Sequence, residues 1–288
     1  MTTDSKKITR RHVLLGAAGI AGGATIGISG SSLLSGAEAA PACQLPAMPW
    51  PYKKLDVEYV RKLGHLGYYK SNCSSGIFYA IFKALSQKVG YPYTAFPYEP
   101  VGQNLMDWGG GGGLLWGAMC GGLIGSLTVI NMVSKDYKTI GNELIGWYTE
   151  TPFPSEISNG YASRHEFLHA EFPPEFKGKY NTDKVLPQSI SGSPLCHISV
   201  SKWCNAAGIK AFTPERAERC ARLTGDLAAK AVDLLNRAAD GQFIPMFKTP
   251  DIVTTCGSCH GKGGSQEDTL APALKLDCMG CHDGHSMK

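Results

Sequence analysis

The sequence predicts a mainly α-helical fold: a compact helical body that gives way to an irregular C-terminal tail. Three observations carry this reading. Apolar residues recur at helical spacing behind a recognisable cap, as Cys73, Ile77, Ala80, Ala84 and Leu85 do after Asn72. Strand-like alternation is hard to find anywhere in the 288 residues. Residues 241–288 are so poor in large apolar side chains that they could not build a core from protein atoms alone.

The elements follow in order. Residues 41–55 are rich in proline (Pro41, Pro46, Pro49, Pro51) and read as an extended arm. Asp56–Leu63 is a short helix candidate, and the Asn72-capped helix ends at Gly90 and Pro92. A Pro- and Tyr-rich loop covers 91–108 and leads into five consecutive glycines, Gly109–Gly113. No Gly-Lys-Ser/Thr follows them and no strand pattern precedes them, so they read as a flexible helix entry rather than a phosphate loop. In the helix expected next, Gly117, Gly121 and Gly125 fall at i, i+4 and i+8. Each glycine costs about 1 kcal/mol relative to alanine, and the return is close approach of a neighbouring backbone. Asn131, Lys135 and Asp136 end the apolar run, which fits a core helix better than a membrane helix. Residues 149–195 carry six prolines and read as irregular, with a short helical piece at Glu166–Ala170. Thr213-Pro214-Glu215 supplies a cap, a first-position proline and a first-turn acid. That helix should run to Ala239 with Gly241 as its stop, presenting Ala217, Cys220, Leu223, Leu227, Ala231 and Leu234 on its apolar face.

The first 39 residues read as a removable export signal. Arg10-Arg11 precede an uncharged Gly/Ala-rich stretch, and Ala37-Glu38-Ala39 offers a small-residue cleavage site. Most of the net charge of +4 comes from Lys6, Lys7, Arg10 and Arg11, so the mature chain is nearly neutral. Nothing then argues for nucleic acid or an anionic membrane as partner, and no membrane segment is expected after signal removal. The three expected regions are the signal (1–39), the helical body (40–240) and the tail (241–288). A twin-arginine signal implies export to the periplasm in a folded state, which hints at a cofactor loaded before export.

The tail contains Cys256-Gly-Ser-Cys259-His260 and, 22 residues on, Cys278-Met-Gly-Cys281-His282. Two thioether bonds can hold the vinyl groups of a haem, and the adjacent histidine can ligate its iron. Two such motifs point to two covalent haems, with Cys256, Cys259, Cys278 and Cys281 as attachment points and His260 and His282 as axial ligands. A four-thiolate zinc site would not explain the histidine after both second cysteines. The second axial ligand must come from elsewhere. His197 is the first choice and His65 and His169 come next, with His165, His285, Met246 and Met287 also in the pool.

Six cysteines remain: Cys43, Cys73, Cys120, Cys196, Cys204 and Cys220. They lack the tight spacing of a disulfide scaffold. Each alone could be a small buried hydrophobe. Cys73 sits in the first turn of its helix, where the dipole should favour thiolate. Five dispersed cysteines, together with the export route, favour an iron–sulfur site held by four of them.

Asn72-Cys73, the Gly109–Gly113 run, Cys120-Gly-Gly-Leu-Ile-Gly125 and the later Cys204 and Cys220 resemble the cysteine-patterned redox family named for its C-GCAxxG-C-C spacing. With the twin-arginine signal ahead and two Cys-x-x-Cys-His motifs behind, the whole from about residue 60 to 288 resembles the split-Soret cytochromes c. That resemblance implies a homodimer with two closely packed haems per subunit. It also implies bis-histidine iron with a ligand contributed across the interface, and an additional iron–sulfur centre, expected as [2Fe-2S]. The chain departs from the pattern in reading Cys-Gly-Gly at Cys120 and in offering five cysteines for four places. Cys73, Cys120, Cys204 and Cys220 are favoured, with Cys196 as alternate. The function expected is electron transfer between redox protein partners rather than enzymatic turnover. A haem-based small-molecule reductase, acting for instance on a nitrogen oxyanion, is the alternative if one iron keeps an open position.

Overall fold

Helix-start chemistry written in the sequence sets most of the architecture. In this computed structural model residues 45–100, 103–176, 183–267 and 275–276 are described. The export signal, Cys43, and the second tail motif with His282, His285 and Met287 lie outside the described residues.

Helix α1 (Val57–Lys70) starts where the Asp56 carboxylate accepts the Tyr59 amide at 2.8 Å. It runs a full two turns beyond the expected Leu63. Gly64 and Gly67 explain the extension, because they let α1 lie almost on its neighbours. A Cβ at Gly67 would sit 2.7 Å from the Gly76 Cα, and one at Gly64 would sit 3.0 Å from the Gly225 Cα. Helix α2 (Cys73–Val89) is capped as expected, the Asn72 side chain accepting from the Ser74 and Ser75 amides at 3.0 and 3.1 Å.

Helix α3 (Gly121–Val133) starts one turn later than the glycine spacing suggested. Gly117 lies outside it, in a left-handed conformation with φ +74°, and the preceding Leu114 and Leu115 are also left-handed. A helix cannot pass through those residues. Gly121 and Gly125 do serve close approach: Cβ atoms there would lie 2.5 Å from the Gly109 and Ser74 carbonyl oxygens, respectively.

Helices α4 (Tyr137–Glu150) and α6 (Cys196–Ala207) were not anticipated from the sequence. The expected helical piece at 166–170 is instead a single 3₁₀ turn at His169–Glu171, while α5 occupies Glu156–Ser163. Ser155 explains the latter, capping the Ser158 amide at 3.1 Å. Strand content among the described residues is one two-residue antiparallel pair, β1 (Pro152–Phe153) and β2 (Ser189–Ile190). Helix α7 (Pro214–Ala239) has the expected bounds, with Thr213 capping the Arg216 amide.

The core forms where α2, α3 and α7 pack around Ile77, Phe78, Ile81, Leu123, Val129, Leu227 and Leu234. After α7 the chain runs extended along α4. The Glu143 carboxylate accepts the Met246 and Phe247 amides at 2.8 and 2.7 Å, and the Phe247 ring fills the space above Gly146. Helix α8 (Asp251–His260) then carries the first tail motif. Among the described residues no helix is long and apolar enough to cross a membrane.

Candidate metal centre

Four separate chain segments deliver cysteines to one end of the helical body. Cys73 is the first residue of α2, Cys120 is the N-cap of α3, and Cys196 is the first residue of α6. Cys220 comes from the second turn of α7. Three helix N-termini, each with its partial positive charge, therefore adjoin the same group of sulfurs. Such an arrangement favours an anion.

The five-glycine run holds the cysteines in place rather than serving as a loose entry. Gly111, Gly112 and Gly113 are all left-handed, with φ of +63°, +78° and +83°. Their carbonyls and amides lace the loop back on itself, as in Gly117 N–H to Gly111 O at 3.1 Å and Ala118 N–H to Gly112 O at 3.0 Å. The same loop then pairs with the start of α6, Cys196 donating to Ala118 O at 2.6 Å and Cys120 to Pro194 O at 2.9 Å. A side chain has no room here. A Cβ at Gly112 would meet the Cys196 Cβ at 2.9 Å, and one at Gly121 would meet the Cys73 Sγ at 2.4 Å.

Electrostatics separate the five candidates. Cys73 feels Cys120, Cys220 and Cys196, and Cys196 in turn feels Cys120 and Cys220. Cys204 has only Cys220 among its sulfur neighbours. Cys204 lies eight residues along α6 from Cys196, a rise of about 12 Å, so the two thiols occupy different places. Cys196 therefore stands with Cys73, Cys120 and Cys220, and Cys204 stands apart. Among the described residues no three such side chains meet the spacing of a single bound metal ion.

Burial is the largest influence on these thiols and pushes those of Cys73, Cys120 and Cys196 up, the last to about 12. For Cys73 this reverses the thiolate expected from the helix dipole, because desolvation outweighs the dipole. Binding of a metal would displace these protons.

Two further residue types complete the surroundings. Arg219, 2% exposed, donates from Nη2 to Ser199 Oγ at 2.9 Å and approaches Cys220 Sγ with Nη1 at 3.9 Å. Its Nε has no acceptor. The fully buried Tyr148 hydroxyl lies against Cys120 and Ser199 and makes no hydrogen bond of good geometry. Arg216 flanks Cys220 and Cys204. Buried polar atoms left without partners are rare. Here they surround the cysteine sulfurs, and the donor set suits an anionic, thiolate-ligated iron–sulfur group. Sequence reading missed these three residues. For the two arginines the one signal is the three-residue spacing of Arg216, Arg219 and Arg222 along α7; Tyr148 carries none.

In the tail, Cys256, Cys259 and His260 stand at i, i+3 and i+4 of α8 and so share one helix face. This is the geometry that two thioethers and an adjacent iron ligand need. Cys259 is exposed, while Cys256 and His260 are half-buried.

The three favoured distal histidines have different surroundings. His65 is fully buried, stacked on Phe167 with ring centroids 3.7 Å apart, and its Nε2 lies 3.2 Å from both Glu218 oxygens. His169 is half-buried with its Nε2 unpartnered, and burial holds its imidazole below the usual histidine range. His197 is exposed at the start of α6, beside Gly117. The adjoining loop turns Leu114, Leu115 and Trp116 outward, each at least 70% exposed. Met246 is exposed as well.

Comparison with known proteins agrees with this picture. Residues 71–234 match the family described as "Putative redox-active protein (C_GCAxxG_C_C)", a span that includes Cys73, Cys120, Cys196, Cys204 and Cys220. The split-Soret cytochrome c of Desulfovibrio desulfuricans (strain ATCC 27774 / DSM 6949 / MB) is 33% identical over 96% of this chain and 95% of its own length. A solved structure described as "A novel iron centre in the split-Soret cytochrome c from Desulfovibrio desulfuricans ATCC 27774" superposes with a TM-score of 0.64 at 32% identity, covering 82% of this chain and 91% of that one. The chain belongs to the split-Soret cytochrome c family, and its helical body to the C_GCAxxG_C_C family of redox-active proteins.

Proposed function

We propose that this chain is an exported electron-transfer protein with two covalent haems and an iron–sulfur centre of the [2Fe-2S] type. One observation carries the reading: Cys73, Cys120, Cys196 and Cys220 converge from four segments under three helix N-termini, in a chain whose tail holds two haem-attachment motifs. These four cysteines are the proposed iron ligands, with Cys196 in the place first given to Cys204. The iron centre reported for the related structure supports iron here.

Bound haem and iron–sulfur groups supply reversible one-electron chemistry. The chain's own residues set the conditions for it. Cys256 and Cys259 anchor one haem and Cys278 and Cys281 the other, with His260 and His282 as axial ligands. The glycine loop keeps backbone close around the sulfurs and leaves no space for a side chain at Gly112, beside Cys196.

Distal ligation falls first to His197, which is exposed and next to the outward Leu114–Trp116 tip. A haem's apolar faces and a second copy of the chain would cover that tip. His169 is next, since its unpartnered nitrogen stays neutral and able to ligate. His65 is last, because ligation would break its contact with Glu218. The twin-arginine signal, the periplasmic location, the homodimer and redox protein partners belong to the same reading.

An electron paramagnetic resonance spectrum of the purified protein, oxidised and then reduced, tests it. Low-spin ferric haems when oxidised and a cluster signal on reduction are expected. A high-spin ferric haem would favour the reductase, and absence of any non-haem iron signal would remove the cluster.

A further inference from the structure

We propose that Arg219 is the built-in counter-charge of the cysteine centre and sets its reduction potential. This rests on the reading of Cys73, Cys120, Cys196 and Cys220 as iron ligands. The argument begins with how arginines are treated elsewhere in the body. Arg61 and Arg222 are buried too, and each is neutralised by carboxylates or fixed by several acceptors. Arg61 pairs with Asp226 and Glu58, and Arg222 pairs with Glu218 at 2.7 Å and also donates to Asn159 at 2.6 Å. Arg219 is as deeply buried, yet among the described residues it forms no ion pair with a carboxylate. Its acceptors are the Ser199 hydroxyl at 2.9 Å and the Cys220 sulfur at 3.9 Å, and its Nε has none.

A guanidinium does not deprotonate in a protein, so its charge must be met by an anion or borne at a cost. The sulfurs are the anion within reach. The thiols are neutral while protonated and become anionic on ligating iron. Loading of the centre then supplies the negative charge that Arg219 otherwise lacks. One-electron reduction, the electron coming from a ferrous haem that becomes ferric, adds one more negative charge. A fixed positive charge in a poorly solvated site favours that reduced state. The neighbouring Tyr148 hydroxyl, unpartnered and against Cys120, carries no charge and gives no such bias. Arg219 thus acts through the iron ligands and is a positioning and tuning residue.

The alternative is that Arg219 merely ties α6 to α7 through Ser199. Three variants of the full-length holoprotein separate the two, read by potentiometric titration of the cluster signal with the haem potentials as internal control. Arg219→Met should shift the ratio of reduced to oxidised cluster at fixed potential at least tenfold towards oxidised, a downward shift of about 59 mV or more for a one-electron couple. Arg219→Lys keeps the charge and should restore most of the potential. Ser199→Ala cuts the tie but leaves the charge, and should stay within twofold of the unaltered protein. Equal effects of Ser199→Ala and Arg219→Met would overturn the proposal, as would an unshifted potential in Arg219→Met. If Arg219→Met loads no cluster, Arg219→Lys decides: it must load and keep its potential. An unaltered protein without non-haem iron would instead defeat the reading of the cysteines.

Discussion

Two sides of helix α7 bury charge in opposite ways. Towards α1 and α5, each buried carboxylate meets a guanidinium. Glu218 accepts from Arg222 at 2.7 Å, from the Tyr69 hydroxyl, and lies 3.2 Å from His65 Nε2. Asp226 accepts from Arg61, from the Ser155 amide at 2.9 Å, and from the Ser155 and Ser158 hydroxyls at 2.6 Å each. Towards α3 and α6, Arg219 and Tyr148 keep unpartnered polar atoms beside Cys220 and Cys120. A closed network is architecture: it fixes where helices sit and needs nothing more. The unpaired guanidinium at the same depth is the position that the proposed iron group would neutralise. His65 Nδ1 also lacks a partner on the first side, so the difference lies in whether a buried guanidinium meets a carboxylate rather than in burial or in hydrogen-bond satisfaction.

The largest expected effects come from breaking each side in turn. Asp226→Ala leaves Arg61 with only the more exposed Glu58 as carboxylate partner and strips the Ser155 and Ser158 hydroxyls of their acceptor, and should cost about 3 kcal/mol in chemical denaturation, with haem attachment unchanged in what folds. Cys120→Ser should do the reverse, removing non-haem iron while the helical circular dichroism and haem bands persist. If Cys120→Ser unfolded the body while Asp226→Ala left stability intact, the assignment of the two sides would be inverted.

Acid should separate the sides next. Burial alone would push the Glu218 carboxyl up, yet His65, Arg222 and Tyr69 hold it below the usual carboxylate range. The unfolded chain then binds this proton more readily than the folded one. The stabilisation is present in full above about pH 5 and drains away as pH falls below about 4. Denaturation measured from pH 6 down to pH 3 should show that decline, and Glu218→Gln should flatten it. A decline of equal slope in the variant would place the acid sensitivity elsewhere.

Distal ligation gives a local readout. His197→Ala should turn one haem high-spin without loss of covalent haem, and His65→Ala should leave both spin states as they were. An unchanged spectrum in His197→Ala would pass the role to His169. The smallest effects come from a pair of glycines in one loop. Gly113 has φ +83° with open space around it, so Gly113→Ala should cost only roughly 1–2 kcal/mol of backbone strain. Gly112→Ala adds a clash with Cys196 and the Ala118 amide and should also lower iron occupancy. Equal iron in both variants would show that the loop does not govern the centre.

What the sequence made legible was local and chemical. Asn72, Thr213-Pro214 and Gly241 marked helix ends because caps act on residues a few positions away. The Cys-x-x-Cys-His spacing was equally plain, since one helix face explains it. The α6 helix was hidden because it begins with Cys196-His197-Ile-Ser-Val-Ser, residues of modest helix propensity with no side-chain cap. Its start is fixed by backbone bonds to the distant glycine loop. That same non-local pairing leaves Cys204 and Cys196 undistinguished in the sequence: spacing along the chain does not reveal which end of α6 meets the glycine loop. Arg219 is illegible in the sequence for a related reason, since its missing partner is a property of packing.

The central claim is that the sulfurs of the body hold iron beside two covalent haems. Total iron, covalent haem and acid-labile sulfide, measured together on anaerobically purified protein, test it most directly. The expected result is two haems per chain that resist acid–acetone extraction, with iron in excess of haem and labile sulfide equal to that excess. An iron-to-haem ratio of one, with no sulfide, would contradict the account and leave the four cysteines as thiols.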